Sequence, residues 1–276
     1  MSRRPWNILA MTVRYGPRPP EQRRNREVEA TATPIWSEAL TAIWETDPEV
    51  VAAVLPPPLA PVEGEPLVRC TITIVQMPVG PSFGAGWLGV RARHGDVVGE
   101  YPIFMPMTTE QSVVGGRETY GEPKKIGEVW SRREVDPAGG ETVEGVIARM
   151  GFTLVEIRGR IAETRAPYEL DKRDFWFKVA PASDGDGLED DAFLVYGEKH
   201  ESARVYLGVE GEVHLGESPL DPVADLVVRR VVDINWTERA SSQVGRTIAR
   251  VPAGDFAPYL HQRYDDLSVL GAGAKR

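Results

Sequence analysis

The amino-acid sequence predicts a mainly β fold, an antiparallel β-barrel or strongly curved sheet with a few short helices. Three observations carry this. Segments rich in β-branched and aromatic residues recur from Leu67 onward: LVRCTITIV, GWLGVRAR, VVGEYPIFM, IGEVWSRREV, ETVEGVIARM, FTLVEIRGRI, DFWFKVAP, ARVYLGVEGEVHL and LVVRRVVDI. Several alternate apolar with polar residues, the period of a half-buried strand. Clusters of Gly, Pro and Asp separate them, and 27 Gly with 23 Pro in 276 residues suit many turns better than a helical bundle. The even spacing, with no linker-like gap, predicts one continuous domain over residues 31–276.

Residues 1–30 are rich in arginine, proline and glutamate and lack periodicity, so they read as an N-terminal arm. In DPEVVAAVLPPPL, Asp47 as N-cap, a proline at the first helical position and a proline stop predict a short helix. TTEQSVVGG predicts a second helix, capped by Thr108 or Thr109 and ended by Gly115. A last helix is expected from about Asp255 to Tyr264. The acidic run Ser183 to Asp191 is a solvated loop, since its carboxylates are out of register for a calcium loop.

Composition removes several classes of function. A net charge of -9 repels phosphate backbones, and Arg23-Arg24-Asn25-Arg26 and Arg229-Arg230 are too short to form a basic patch, so no nucleic-acid partner is expected. The single cysteine, Cys70, permits no intrachain disulfide and reads as a buried, inert thiol. His94, His200, His214 and His261 show no metal-ligand spacing, and no metal is expected. The arginine-led N-terminus is interrupted at Thr12 and Arg14, too early for a signal-peptide core. No apolar run approaches the ~18 residues of a membrane helix. A cytoplasmic protein without membrane contact is the expectation. No GxSxG elbow, phosphate-binding glycine loop or dinucleotide fingerprint is present.

Chemistry concentrates in Gly116-Arg117-Glu118-Thr119-Tyr120-Gly121-Glu122-Pro123-Lys124-Lys125. Adjacent lysines usually sit in solvated turns. Here a φ-fixing proline precedes them, apolar IFMPM lies upstream and the strand-like IGEV follows. Burial of Lys124 beside a second ammonium would disfavour its charged form and leave a nucleophilic amine. Glu122, two residues away, is either a general acid or base or a carboxylate paired at the surface. Arg117 either anchors a substrate carboxylate or braces the turn. Tyr120 either donates a hydrogen bond into the pocket or packs. Phe104, Met105 and Met107 form either the apolar wall around Lys124 or plain core.

The GRE and PKK words resemble the acetoacetate-decarboxylase-like superfamily. Weaker words agree: EPLVR at Glu65 to Arg69, GEY at Gly99 to Tyr101, Met150-Gly151-Phe152, and SPLDPVADL from Ser218 to Leu226. The resemblance covers about four fifths of the chain. It implies Lys124 as the Schiff-base former and Lys125 as its electrostatic neighbour, a lysine activation for which acetoacetate decarboxylase is the standing example. Its decarboxylases carry a glutamate where this chain has Thr71, a second glutamate near Ala85 and a carboxylate-binding arginine near Ser37. They also place an aromatic residue where Glu122 stands. The amine is kept while the acids around it are changed.

The expected activity is therefore a cofactor-free Schiff-base lyase acting on a small oxo acid. It leans to aldol, dehydratase or hydratase chemistry with an aldehyde as potential second reactant, and some relatives resemble pyruvate aldolase-dehydratases. Genuine decarboxylation of a β-keto acid is the alternative, and a non-catalytic ligand-binding barrel the second. Relatives form homo-oligomers, and the same is expected here.

Overall fold

The computed structural model of the protein describes residues 15–22, 35–77, 80–265, 267 and 271. Most of the expected N-terminal arm lies outside the described residues. The strands are β1 (Ile35–Glu45), β2 (Leu67–Gln76), β3 (Phe83–His94), β4 (Val97–Met107), β5 (Lys124–Ile126), β6 (Glu128–Val135), β7 (Glu141–Arg149), β8 (Phe152–Thr164), β9 (Tyr168–Lys178), β10 (Ala192–Leu215) and β11 (Arg230–Val251). Three short α-helices accompany them: α1 (Pro48–Val54), α2 (Glu110–Tyr120) and α3 (Ala253–Phe256).

The strand order is β11-β1-β2-β3-β4-β9-β10-β8-β7-β6, and β10 also pairs with β11, which closes a seven-stranded barrel. Most pairings are antiparallel; β4 runs parallel to β5 and to β9. The long strand β10 belongs to two layers. Residues Phe193 to Ala203 pair with β9 inside the barrel, while Leu207 to Leu215 pair with β8 in the extension β8-β7-β6. Met150 and Gly151, both at positive φ, make the tight β7–β8 turn.

The extension folds back over the outer face of the barrel, and the apolar core lies between the two layers. Leu40, Trp44, Ile72 and Leu88 from the barrel meet Ile147, Leu154 and Ile157 from the extension, all fully buried. Strand alternation then turns the intervening residues inward. Ser37, Thr41, Arg69, Thr71, Glu201, Thr237 and Arg239 are buried polar groups, and most of them line two cavities at opposite ends of the barrel.

Three local expectations need correction. α2 runs through Gly115 to Tyr120 and stops at Gly121, whose φ of 77° is left-handed. The segment 35–45 was not expected as a strand, yet IWSEALTAIWE forms β1. Its Leu and Ala favour helix locally, but pairing on both edges and burial on both faces override that preference. The strand expected from Leu226 begins at Arg230 and continues to Val251.

Candidate active site

The site is built where α2 meets β5. Gly121 reverses the chain, Pro123 follows, and β5 docks parallel to β4 with Met105 opposite Lys124. The Met105 amide donates to the Pro123 carbonyl at 3.2 Å. Successive residues of a strand face opposite ways, so the two lysines part company. Lys124 faces a cavity of about 740 Å³ whose wall includes Thr71, Met105, Tyr120, Glu122 and Gln243. Its Nζ lies 2.8 Å from Glu122 Oε2, and the two side chains are 15% and 4% exposed. The Gln243 amide donates to the other oxygen, Glu122 Oε1, at 3.1 Å.

Gly116 makes this pair possible. A β-carbon there would overlap Glu122 Oε2 and crowd the end of the Lys124 side chain. A glycine inside a helix, otherwise costly by about 1 kcal/mol, is explained by this close approach.

Lys125 turns away from the cavity. Its Nζ lies 2.8 Å from Asp221 Oδ1 and 3.2 Å from Asp265 Oδ1, and Arg149 bridges the same two carboxylates. The expected partnership of two neighbouring ammonium groups is thus not what the geometry supplies. The group beside Lys124 is a carboxylate. Arg117 also lies behind the site rather than in it, since Nη1 donates to the Lys124 and Arg263 carbonyls at 3.0 and 2.7 Å. Arg263 in turn donates to the Gly121 carbonyl. Burial lowers the pKa of Arg117 and holds that of Arg263 down to about 10. Arg117 therefore braces the turn, the second of its two sequence readings, and is not placed to bind substrate. Phe104 is core, 5.9 Å from Lys125 Nζ, whereas Met105 and Met107 form the cavity wall. Tyr120 lines the cavity and packs on Trp176 with ring centroids 5.3 Å apart.

Ser37, Thr71 and Ala85, the positions where the sequence lacked acids and an arginine, all line this cavity. Sequence reasoning missed Gln243, Asp174, Lys199 and Arg239, which line it as well. Only DFWF carried a signal, because alternation places Asp174 with Trp176 on one face and Phe175 with Phe177 on the other. Inside the barrel Arg69 forms a two-pronged ion pair with Glu100 and lies over the Trp87 ring at 4.1 Å. Glu201 is met by Lys172 at 2.8 Å, Lys199 at 3.1 Å and Arg239 at 3.3 Å. Burial works against its charge, yet these cations hold its pKa well below the usual carboxylate range. Lys172 is lowered to about 7 by burial and by the positive charge of Arg69. Cys70 is buried and its thiol is pushed up to about 12 by that burial, in keeping with an inert thiol.

The sequence words thus meet in space. EPLVR and GEY join through Arg69 and Glu100, and PKK and SPLD join through Lys125 and Asp221. The family model for acetoacetate decarboxylase matches residues 15–251. This chain belongs to the acetoacetate decarboxylase family. Its similarity to an acetoacetate decarboxylase of Paraburkholderia phytofirmans is 26% identity over 200 residues, covering 71% of this chain and 77% of that protein. A Streptomyces nogalater acetoacetate decarboxylase is 30% identical over 152 residues, covering 54% and 60%. Among solved structures, an acetoacetate decarboxylase-like enzyme from Sphingomonas wittichii RW1 superposes with a TM-score of 0.66 at 21% identity, covering 80% and 92%. The enduracididine biosynthesis enzyme MppR, complexed with the condensation product of pyruvate and imidazole 4-carboxaldehyde, gives 0.66 at 16%, covering 78% and 89%. These structures share the fold with this chain. Among the described residues, no helix is long and apolar enough to cross a membrane, and no group of three or more His, Cys, Asp or Glu could hold a metal ion.

Proposed function

We propose that the protein is a cofactor-free enzyme that forms a Schiff base between Lys124 and the carbonyl of a small 2-oxo acid and then condenses the resulting enamine with an aldehyde. The observation that carries this is the Lys124–Glu122 pair at 2.8 Å on the wall of a cavity where Thr71 and Ala85 stand at the positions that the resemblance assigns to acids. Lys124 Nζ and Glu122 Oε2 lie within proton-transfer distance of each other. Transfer to Glu122 frees the amine, which adds to the carbonyl carbon. The hydroxyl of the adduct then leaves as water with the proton that Glu122 took, which gives the imine and returns Glu122 to the carboxylate. Removal of a proton from the neighbouring carbon by the Glu122 carboxylate gives the enamine, a carbon nucleophile. After bond formation to the aldehyde carbon, loss of water and hydrolysis of the imine release an unsaturated oxo acid and restore Lys124.

Genuine decarboxylation of acetoacetate is a second reading, favoured by the names of the curated relatives. The two share the imine and differ in what leaves it. Steady-state assays separate them. Purified protein should turn over pyruvate with an aryl aldehyde, and evolve little carbon dioxide from acetoacetate. Brisk decarboxylation with no condensation product would reverse the assignment. Assembly of the chain as a homo-oligomer belongs to the same proposal.

A further inference from the structure

The reaction above has Glu122 take a proton from the amine, give it up to the departing water and take another from the carbon next to the imine. One of its oxygens is held by Lys124 and the other by Gln243. Bond formation to the aldehyde needs a proton at a different place, on the acceptor oxygen. The same cavity contains a second acid. Asp174, on β9, lines it deep in the barrel, is only 5% exposed, and has an oxygen, Oδ1, with no hydrogen-bond partner among the described residues. β10 links it to the Glu122 side of the cavity. Lys199 opposes Gln243 on β11, and two residues earlier Gly197 opposes Asp174. The charged groups around Asp174 are Arg69 from β2, Glu100 from β4, Lys199 from β10 and Lys172 on its own strand.

We propose that Asp174 is the second proton carrier of this cavity, protonating the acceptor oxygen while Glu122 serves the amine and the enamine carbon. The inference rests on the Schiff-base reading. As the enamine carbon bonds to the aldehyde carbon, the carbonyl π electrons move onto oxygen. The O–H bond of Asp174 breaks, its proton joins that oxygen and its electron pair stays on the carboxylate. Water in the cavity returns the proton. The acid must be protonated at working pH to do this, and burial, opposed by Arg69 and helped by Glu100, pushes Asp174 up to about 7. Arg69 is already matched by Glu100, so its charge is divided between two acids and does not force Asp174 to ionise.

Three readouts on Asp174→Asn test this: borohydride trapping of pyruvate on Lys124, kcat for condensation of pyruvate with benzaldehyde, and the pH profile of that kcat. Trapping is expected to stay within about twofold of the unmodified protein, while condensation falls about 10²-fold or more, the usual share of a positioned proton donor. The unmodified protein should lose kcat as pH rises through about 7, and the Asn variant should lack that limb. Asp174→Glu should restore turnover with the limb displaced, and it decides the matter if the Asn variant fails to fold. Intact trapping with full condensation and an unchanged limb in either variant would overturn the role of Asp174 alone. Absence of trapping in the unmodified protein would overturn the Schiff-base reading and this inference with it.

Discussion

On β1 and β2 the outward side chains Leu40, Ala42, Trp44, Cys70 and Ile72 are fully buried in an apolar layer. The inward ones on the same strands, Ser37, Thr41, Arg69 and Thr71, are equally hidden yet polar, and they face the cavities. Burial on the outside is cohesive, since each Leu or Ile removed from water contributes about 1.5–3 kcal/mol. Burial on the inside is costly unless polar groups find partners, and the pairings Arg69–Glu100 and Glu201–Lys172 meet that cost. Alternation along one strand thus separates what holds the barrel together from what it does. The adjacent lysines repeat the division. Lys124 faces the cavity, and Lys125 holds Asp221 and Asp265 together behind it.

Substitutions can break this comparison or sharpen it. The largest effect expected is from Lys124→Ala, which should abolish turnover in a protein that still folds and melts cooperatively, read by product assay beside a thermal melt. Lost folding in that variant would mean the inner face also carries stability. Ile157→Ala, on the outer side, should do the opposite. It should cost about 2–5 kcal/mol in denaturant unfolding with the active-site chemistry of the folded fraction intact. Glu122→Gln should lower kcat by ~10²–10⁴ while imine trapping persists, because the amide keeps the shape and loses the proton. Lys125→Met leaves Asp221 with one cation fewer. It should lower stability in chemical denaturation without removing trapping at Lys124, and loss of trapping would restore Lys125 as an electrostatic partner.

A last effect concerns pH. Asp174 titrates near 7 in the folded chain against an ordinary 3.8. Between those values the folded state keeps a proton that the unfolded state releases. Its contribution to stability therefore falls as pH rises through that window. Asp174→Asn should remove this slope, so the variant melts higher than the parent at pH 8 and matches it near pH 3. Equal melting at both values would show Asp174 to be an ordinary, solvated acid.

How much was legible in the sequence follows the same inside–outside division. Strands that alternate against a clear apolar layer, such as β7 and β8, could be read directly, because one face of each is apolar and packed. β1 and the second half of β11 could not. β1 is covered on both faces, so its pattern shows no simple period. In β11 the stretch from Ser241 meets the cavity only as far as Gln243 and is exposed from Val244 to Ile248, so few apolar residues mark it as a strand. Those two strands close the barrel, and Gln243 and Arg239 went unseen with them. Lys124 and Glu122 were legible because the PKK word and its flanks are local. The misplacement of Lys125 came from reading neighbours in sequence as neighbours in space, when a strand sends them to opposite faces.

The most direct measurement is peptide mass spectrometry after borohydride reduction of the protein incubated with pyruvate. One reduced pyruvate adduct, confined to the peptide carrying Lys124 and absent from Lys124→Ala, is the expected result. No adduct, or one that persists in Lys124→Ala on Lys125, Lys172 or Lys199, would contradict the assignment of Lys124 as the reacting amine.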